Sequence, residues 1–276
     1  MSASPAPAKK IVSLAPFVSE ILAHLGVVEN VTTIRDFIEE APPASDASQP
    51  EHWFAMALNR MAELKPDLIF TYSLSQQILG KKLKEKGFSV VHLDPYLLRE
   101  VEDGFTQIGK AAGALEASRK MSRDFIEGLA ALSEKIPPGA YRPKLYVEEL
   151  AKPQLVPGRW WPDLMTQTGA HYFPILPREI NRQAKIEEVI RFDPDIVIFS
   201  VYGDGLNFNP DEALKRIGWE KIMAVRKRKV YSVDARLLNW PGPRILDGAQ
   251  AVQSALGESY WGWPLVDPAK VRRVTS

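Results

Sequence analysis

Two stretches of the chain repeat one pattern. Ala62-Glu63-Leu64-Lys65-Pro66-Asp67-Leu68-Ile69-Phe70 and Ile190-Arg191-Phe192-Asp193-Pro194-Asp195-Ile196-Val197-Ile198 both read as a helix that stops at a Pro-Asp corner and releases a buried strand. Proline removes a backbone donor and disfavours helix in the residue before it, so each corner is a dictated break. The prolines, Pro66 and Pro194, stand 128 positions apart, far beyond any solenoid period. The repeat predicts two similar α/β lobes in a chain of 276 residues, long enough for each to bury a core.

Short apolar runs alternate with amphipathic stretches around both corners. In the first half, strands are expected at 11–14, 31–34, 68–72 and 89–93. Helices are expected from Pro16 to a stop at Gly26, at 54–64 and at 78–86. In the second half, strands fall at 144–148, 196–200 and 229–233, with helices at 161–168, 186–192, 211–216 and 244–256. Such alternation argues for parallel sheets. Between the halves, Val101, Phe105, Ile108, Ala112 and Leu115, then Phe125, Leu129, Leu132 and Ile136, keep steps of three and four. They predict one amphipathic helix of about 36 residues, on the order of 50 Å if unbroken, ended by Pro137-Pro138-Gly139. Gly104, Gly109, Gly113 and Gly128 fall inside it; each costs about 1 kcal/mol against Ala, or marks close packing.

The expected fold class is therefore α/β: two Rossmann-like lobes with parallel sheets, joined by one long backbone helix. The expected segments are a flexible N-terminal stretch (1–9), a first lobe (10–98), a linking helix (99–138), a second lobe (139–257) and a tail (258–276). Trp261 and Trp263 are expected to pin that tail to the body.

Composition removes several functions. Thirty-five basic and 34 acidic residues give a net charge of +1, so nothing advertises nucleic acid or an anionic membrane. There is no cysteine, which excludes disulfides, thiolate nucleophiles and Cys-type metal sites. No apolar run approaches the roughly 20 residues needed to cross a bilayer. Residues 1–10 have no apolar centre, so they do not read as a signal peptide. Two compartments stay open: cytoplasmic as written, or extracytoplasmic if a leader was replaced by the starting Met. Two interrupted heptad blocks are thin support for a coiled-coil dimer, and a monomer is expected.

In open parallel sheets, ligands bind outside the carboxyl ends of the strands. The aromatic residues expected there are Phe37 after the second strand, Trp53 in the loop before the next helix and Tyr72 ending the third strand. Trp160 and Trp161 follow the first strand of the second lobe, Tyr202 lies past the strand from Ile196, and Trp240 lies in the loop after Val233. Each alone is most simply local packing. Seven on one predicted edge suit a large, flat, partly apolar ligand in a cleft between the lobes. The four histidines (His24, His52, His92 and His171) form no short-spaced pair, and His24 and His92 read as core. Gly203-Asp204-Gly205 lacks the rest of a phosphate loop, and neither a G-x-S-x-G elbow nor H-E-x-x-H occurs.

The segments IVSLAPFVSEILAHLG, LKPDLIF and RKVYSVDARLLNWPGPRILDGAQ resemble the substrate-binding proteins with a helical backbone (class III) that serve ABC importers of cobalamin, haem and ferric siderophores. The likeness runs from Lys10 to Leu256 and is nearest to the cobalamin binders. PGRWWPDL and VDARLLNWPGPRILDG also look like a leaderless, cobalamin-binding branch. The resemblance implies that Phe37, Trp53, Tyr72 and Trp240 occupy cleft positions and that Asp234 matches an acidic position in the last cleft loop. Trp240 replaces an arginine of the family, and Asn181 stands where the family has a tryptophan. It also implies two glutamates that dock on permease arginines; Glu187 matches one, whereas Asn59 occupies the other.

These features favour a non-enzymatic protein with no catalytic cofactor, binding a cobalamin-like corrinoid. Phe37, Trp53, Tyr72, Trp160, Trp161, Tyr202 and Trp240 would wall the ring, and Asp234 would accept hydrogen bonds from its amide arms. Its partners would be that small molecule and, if it serves an importer, an ABC permease; otherwise it would be a soluble corrinoid-handling protein. A ferric siderophore or haem binder is the first alternative, for which Arg159 and Arg244 are the chief basic candidates. A cytosolic enzyme or chaperone acting on a tetrapyrrole or metal chelate is the second, with Asp234, His52 and Arg244 as its titratable candidates.

Overall fold

A computed structural model describes residues 10–29, 31–33, 50–203, 206 and 208–274, apart from the side chains of residues 50–54 and 75. The chain groups into two compact units. One comprises Met1–Asp94 and Glu102–Arg123, the other Pro95–Val101 and Asp124–Ser276.

The first unit runs β1 (Ile11–Ser13), α1 (Pro16–His24), β2 (Val31–Thr33), α2 (Pro50–Leu64), β3 (Leu68–Tyr72), α3 (Ser73–Glu85) and β4 (Val90–Leu93). Its sheet has the order β2-β1-β3-β4 and every pairing is parallel. β1 and most of β3 are buried, which is why they read as unbroken apolar runs instead of alternating ones. Val12, Leu14 and Ile69 from the sheet region pack with Ala57 and Met61 of α2 and Leu79 and Leu83 of α3.

The Pro-Asp corner has a specific task here. Lys65 takes a left-handed conformation (φ 47°) after α2. The Asp67 carboxylate then accepts the Lys10 N–H at 2.7 Å, and the Asp67 N–H donates to the Lys10 carbonyl at 2.8 Å. That double bond sets Ile11 opposite Leu68 in the sheet.

Residues 98–136 depart from the expected single helix. They form α4 (Leu98–Ala112) and α5 (Leu115–Glu134), parted at Gly113, whose φ of +79° no helix interior accepts. The two fold back on each other. Ser122 donates to the Glu102 carboxylate, a pair that a straight helix would hold about 30 Å apart. A Cβ on Gly109 would run into Ser118, so Gly109 marks a close helix–helix approach. The spacing of apolar residues is unchanged across the turn because both helices bury one stripe. The chain passes from the first unit to the second within α5.

The second unit continues with β5 (Lys144–Glu148), β6 (Leu150–Ala151), β7 (Gln154–Pro157), α6 (Trp161–Gln167), β8 (His171–Tyr172), β9 (Asn181–Gln183), α7 (Ile186–Phe192) and β10 (Ile196–Phe199). The short helices α8 (Asp211–Leu214) and α9 (Met223–Arg226) precede β11 (Val230–Val233), α10 (Ile245–Tyr260) and β12 (Val271–Arg273). The main sheet has the order β12-β11-β10-β5-β8, parallel except for the antiparallel edge strand β12. β6, β7 and β9 make a separate antiparallel sheet. The second corner repeats the first. Asp193 is left-handed (φ 46°), Asp195 accepts the Lys144 N–H at 2.8 Å, and the Asp195 N–H donates to the Lys144 carbonyl at 2.9 Å. Leu145 faces Ile196 as a result.

In the tail, the Trp261 and Trp263 rings meet at 4.9 Å and Trp263 lies against Gly257 of α10. The strand β12 was not foreseen there. Among the described residues, no helix is long and apolar enough to cross a membrane.

Candidate functional site

Each parallel sheet has one place where the chain reverses its direction of growth. In the first unit β1 lies between β2 and β3; in the second, β5 lies between β8 and β10. The loops leaving the two strands at such a point diverge, and the gap between them is the usual ligand site of open α/β sheets.

At the first switch point, between β1 and β3, Phe17 and Tyr72 meet edge to face at 5.0 Å. Tyr72 is half-buried. Gln76 fastens the two loops, donating to the Leu14 carbonyl at 3.0 Å and accepting the Tyr72 N–H at 2.9 Å. Phe37 lies outside the described residues. Trp53 belongs to α2 and not to the loop before it, and its side chain, like that of His52, lies outside the described residues.

The second switch point, between β5 and β10, is polar. The Ser200 N–H donates to the Glu148 carbonyl at 2.9 Å, and the Tyr202 N–H to the Glu149 carbonyl at 3.0 Å. Glu148 points inward and is 0% exposed. Burial pushes its carboxyl up, opposed by the Arg216 guanidinium at 2.6 Å and the Tyr146 hydroxyl at 2.9 Å. Glu149 is half-buried. Burial raises its carboxyl to about 7, against a hydrogen bond from the Asn181 amide and the charge of Arg159. Tyr202, 61% exposed, stands over this edge with its ring 6.2 Å from that of half-buried Trp240. Ile180, next to Asn181, is exposed as well. Two rings and a half-buried carboxyl thus follow the ends of β10, β11 and β5 in the chain.

Other expected residues take different places. Trp160 and Trp161 are each 2% exposed, and Trp160 Nε1 donates to the Leu238 carbonyl at 3.3 Å. They are core of the second unit and have no ring face left for a ligand. Asp234 is also buried and already committed. It caps the turn at Ala235–Leu237 and binds Arg236 through the backbone N–H and a bidentate guanidinium contact at 2.6 to 3.0 Å. Burial pulls the Asp234 carboxyl up, but the bonds from Arg236 outweigh it and hold the group below its usual range. The exposed partner is therefore Arg236, whose side chain is 78% accessible. Arg159 donates to the Pro95 carbonyl at 3.0 Å and lies 4.5 Å over the Tyr96 ring. Glu187, in the first turn of α7, and Asn59, on α2, are both exposed.

Glu149 and Arg236 escaped the sequence reading. Position relative to a strand end was the available signal for Glu149; for Arg236 it was the Asp-x-Arg spacing that a capped turn creates. His92 is half-buried in β4, its Nδ1 2.9 Å from Thr71 Oγ1, and burial lowers its pKa against the pull of Asp94. His24, expected in the core, is exposed with Nδ1 2.9 Å from the Glu20 carbonyl. Among the described residues, no group of three or more His, Asp or Glu side chains is placed to hold a metal.

A periplasmic binding protein family model matches residues 11–237. The chain belongs to the periplasmic binding protein family. Its relatives include the vitamin B12-binding protein of Vibrio cholerae serotype O1, 23% identical over 254 residues, covering 91% of this chain and 90% of that one. An ABC transporter substrate-binding lipoprotein of Bacillus subtilis is 25% identical over 266 residues, covering 90% and 80%. Among solved structures, the periplasmic vitamin B12-binding protein of Vibrio cholerae superposes with a TM-score of 0.71 at 22% identity, covering 92% and 99%. A periplasmic haem-binding protein of Pseudomonas aeruginosa superposes with a TM-score of 0.73 at 20% identity, covering 98% and 99%. This periplasmic binding protein has the class III fold of those neighbours, and family and relatives alike are solute binders, not enzymes.

Proposed function

We propose that the protein binds a cobalamin-like corrinoid at the carboxyl ends of its strands, as the extracytoplasmic receptor of an ABC importer. The observation that carries the ligand is the Tyr202–Trp240 pair beside the second switch point. Two rings in the stretches after β10 and β11 present flat apolar area with few side-chain torsions to freeze, and the neighbouring Glu149–Asn181 pair offers polar partners for a ring bordered by amides. The vitamin B12-binding relatives, matched over nine-tenths of their length, point the same way. Relatives named as periplasmic proteins and as a substrate-binding lipoprotein support the compartment and the importer. Exposed Glu187 would meet a permease arginine, while Asn59 would contribute a neutral contact at the other docking position.

Haem is the second reading, favoured by one observation: the exposed Arg236 guanidinium suits a propionate. Titration of the full chain with cyanocobalamin and with haemin, followed by tryptophan fluorescence, separates them. Quenching by cyanocobalamin at micromolar concentration or below is expected. Quenching by haemin alone would move the assignment to haem, and quenching by neither would remove both.

A further inference from the structure

The corner repeat fixes which residues of the two units are equivalent. Lys10 corresponds to Lys144 and Ile11 to Leu145, because each pair holds the same place against its Asp corner and facing strand. Four and five residues after each Lys, the first unit has Leu14 and Ala15, both fully buried and apolar. The second has Glu148 and Glu149. Arg216 and Tyr146 both bond one oxygen of buried Glu148. Glu149 is held differently: its backbone carbonyl accepts the Tyr202 N–H at the switch point, and its carboxyl meets the amide of Asn181, an exposed residue on the edge strand β9, and the charge of Arg159. A carboxyl half-withdrawn from water at the ligand edge is costly unless something uses it.

We propose that Glu149, oriented by Asn181, is the specificity-determining residue of this site: it accepts N–H donors from carboxamide arms of the ligand and rejects a ligand that presents carboxylates there. The proposal rests on the corrinoid reading above. The chemistry follows from the acceptor. An ionised carboxyl gains a charge-assisted bond from an amide N–H, whereas a second carboxylate placed beside it in a partly dry setting repels it. Among the described residues, the ionisable groups that act on or feel Glu149 include Arg159 and Tyr172. Arg159 is held over Tyr96, and the Tyr172 hydroxyl donates to the Pro157 carbonyl at 2.8 Å. Arg159 carries donors only and the Tyr172 hydroxyl is buried, so neither replaces Glu149 as an acceptor. Asn181 supplies the donor that orients it, at the position where the resembling family carries a tryptophan.

The test compares one ring with two kinds of arm: dicyanocobinamide, whose arms are amides, and dicyanocobyrinic acid, whose arms are carboxylates. Both are titrated calorimetrically at pH 8 against the wild-type chain, Glu149→Gln and Asn181→Ala. The wild type should prefer the amide ring. Glu149→Gln should shrink that preference at least tenfold, the size of one charge-assisted hydrogen bond, with a thermal midpoint no lower than wild type. Asn181→Ala should shrink it less. An undiminished preference in a folded Glu149→Gln variant overturns the role of Glu149 and leaves the corrinoid reading standing. If neither ring binds the wild type, the corrinoid reading itself falls and takes this role with it.

Discussion

The two switch points of this protein are built on one backbone plan and finished in opposite chemistry. Both units clip the start of a strand with an Asp carboxylate, at Lys10 just before β1 and at Lys144 opening β5, and both strands end within three or four residues of that clip. The first unit then closes its switch point with Leu14, Ala15 and the Phe17–Tyr72 ring pair. The second puts two carboxyls there, Glu148 held by Arg216 and Glu149 bonded by the Asn181 amide. The repeat therefore governs how each sheet starts, and ligand chemistry is decided several residues later, where the repeat has diverged.

The largest expected effect breaks the inward carboxyl. Arg216→Met leaves Glu148 buried beside Tyr146 with no cation, and should cost about 3 to 5 kcal/mol in urea unfolding. The first unit has Leu14 at that position and no such dependence. The corners come next. Asp195 is 7% exposed and also accepts the Tyr141 hydroxyl at 2.7 Å, a bond that raises that phenol to about 12. Asp195→Ala removes the acceptor of the Lys144 N–H and of the Tyr141 and Tyr260 hydroxyls, and should cost about 2 to 4 kcal/mol. Asp67→Ala, at an exposed corner, should cost about 1 kcal/mol or less. Equal losses would show that burial does not distinguish the repeats.

Ligand affinity sharpens the contrast further. Trp240→Ala should weaken cyanocobalamin binding about ten- to a hundredfold in a fluorescence or calorimetric titration, the size of a lost aromatic anchor. Tyr72→Ala, whose ring already packs on Phe17, should weaken it several-fold. Glu149 brings a further effect, a pH dependence of the second unit. The Glu149 carboxyl is raised from 4.5 to about 7, so the folded state keeps a proton that the unfolded chain has lost. Its contribution to stability is intact below about pH 4.5 and declines as pH rises toward 7. Glu149→Gln should flatten that slope in thermal melts taken across the window.

Much of the architecture could be read from residues alone, because it rests on local rules. β5 at Lys144–Glu148 and α7 at Ile186–Phe192 fall where apolar runs and corner chemistry set them. The reading failed where a local signal had two physical meanings. Steps of three and four run through Gly113 as smoothly as through a helix, since α4 and α5 each bury a stripe. Asn181–Gln183 is short and mostly exposed, so β9 shows no alternation to find. A Trp after a strand can wall a ligand site or fill a core; Trp160 and Trp161 fill the core. Asp234 was expected to accept from a ligand, but Arg236, two residues on, takes that capacity. Glu149 carries no sequence pattern of its own and becomes visible only when the strands are ordered.

A crystal structure of the full chain grown with cyanocobalamin tests the account most directly. The corrin ring should lie against Tyr202 and Trp240, with an amide arm within hydrogen-bond distance of the Glu149 carboxyl. A ring bound away from the carboxyl ends of β5, β10 and β11, or a carboxylate-bearing ligand seated on Glu149 instead, would contradict it.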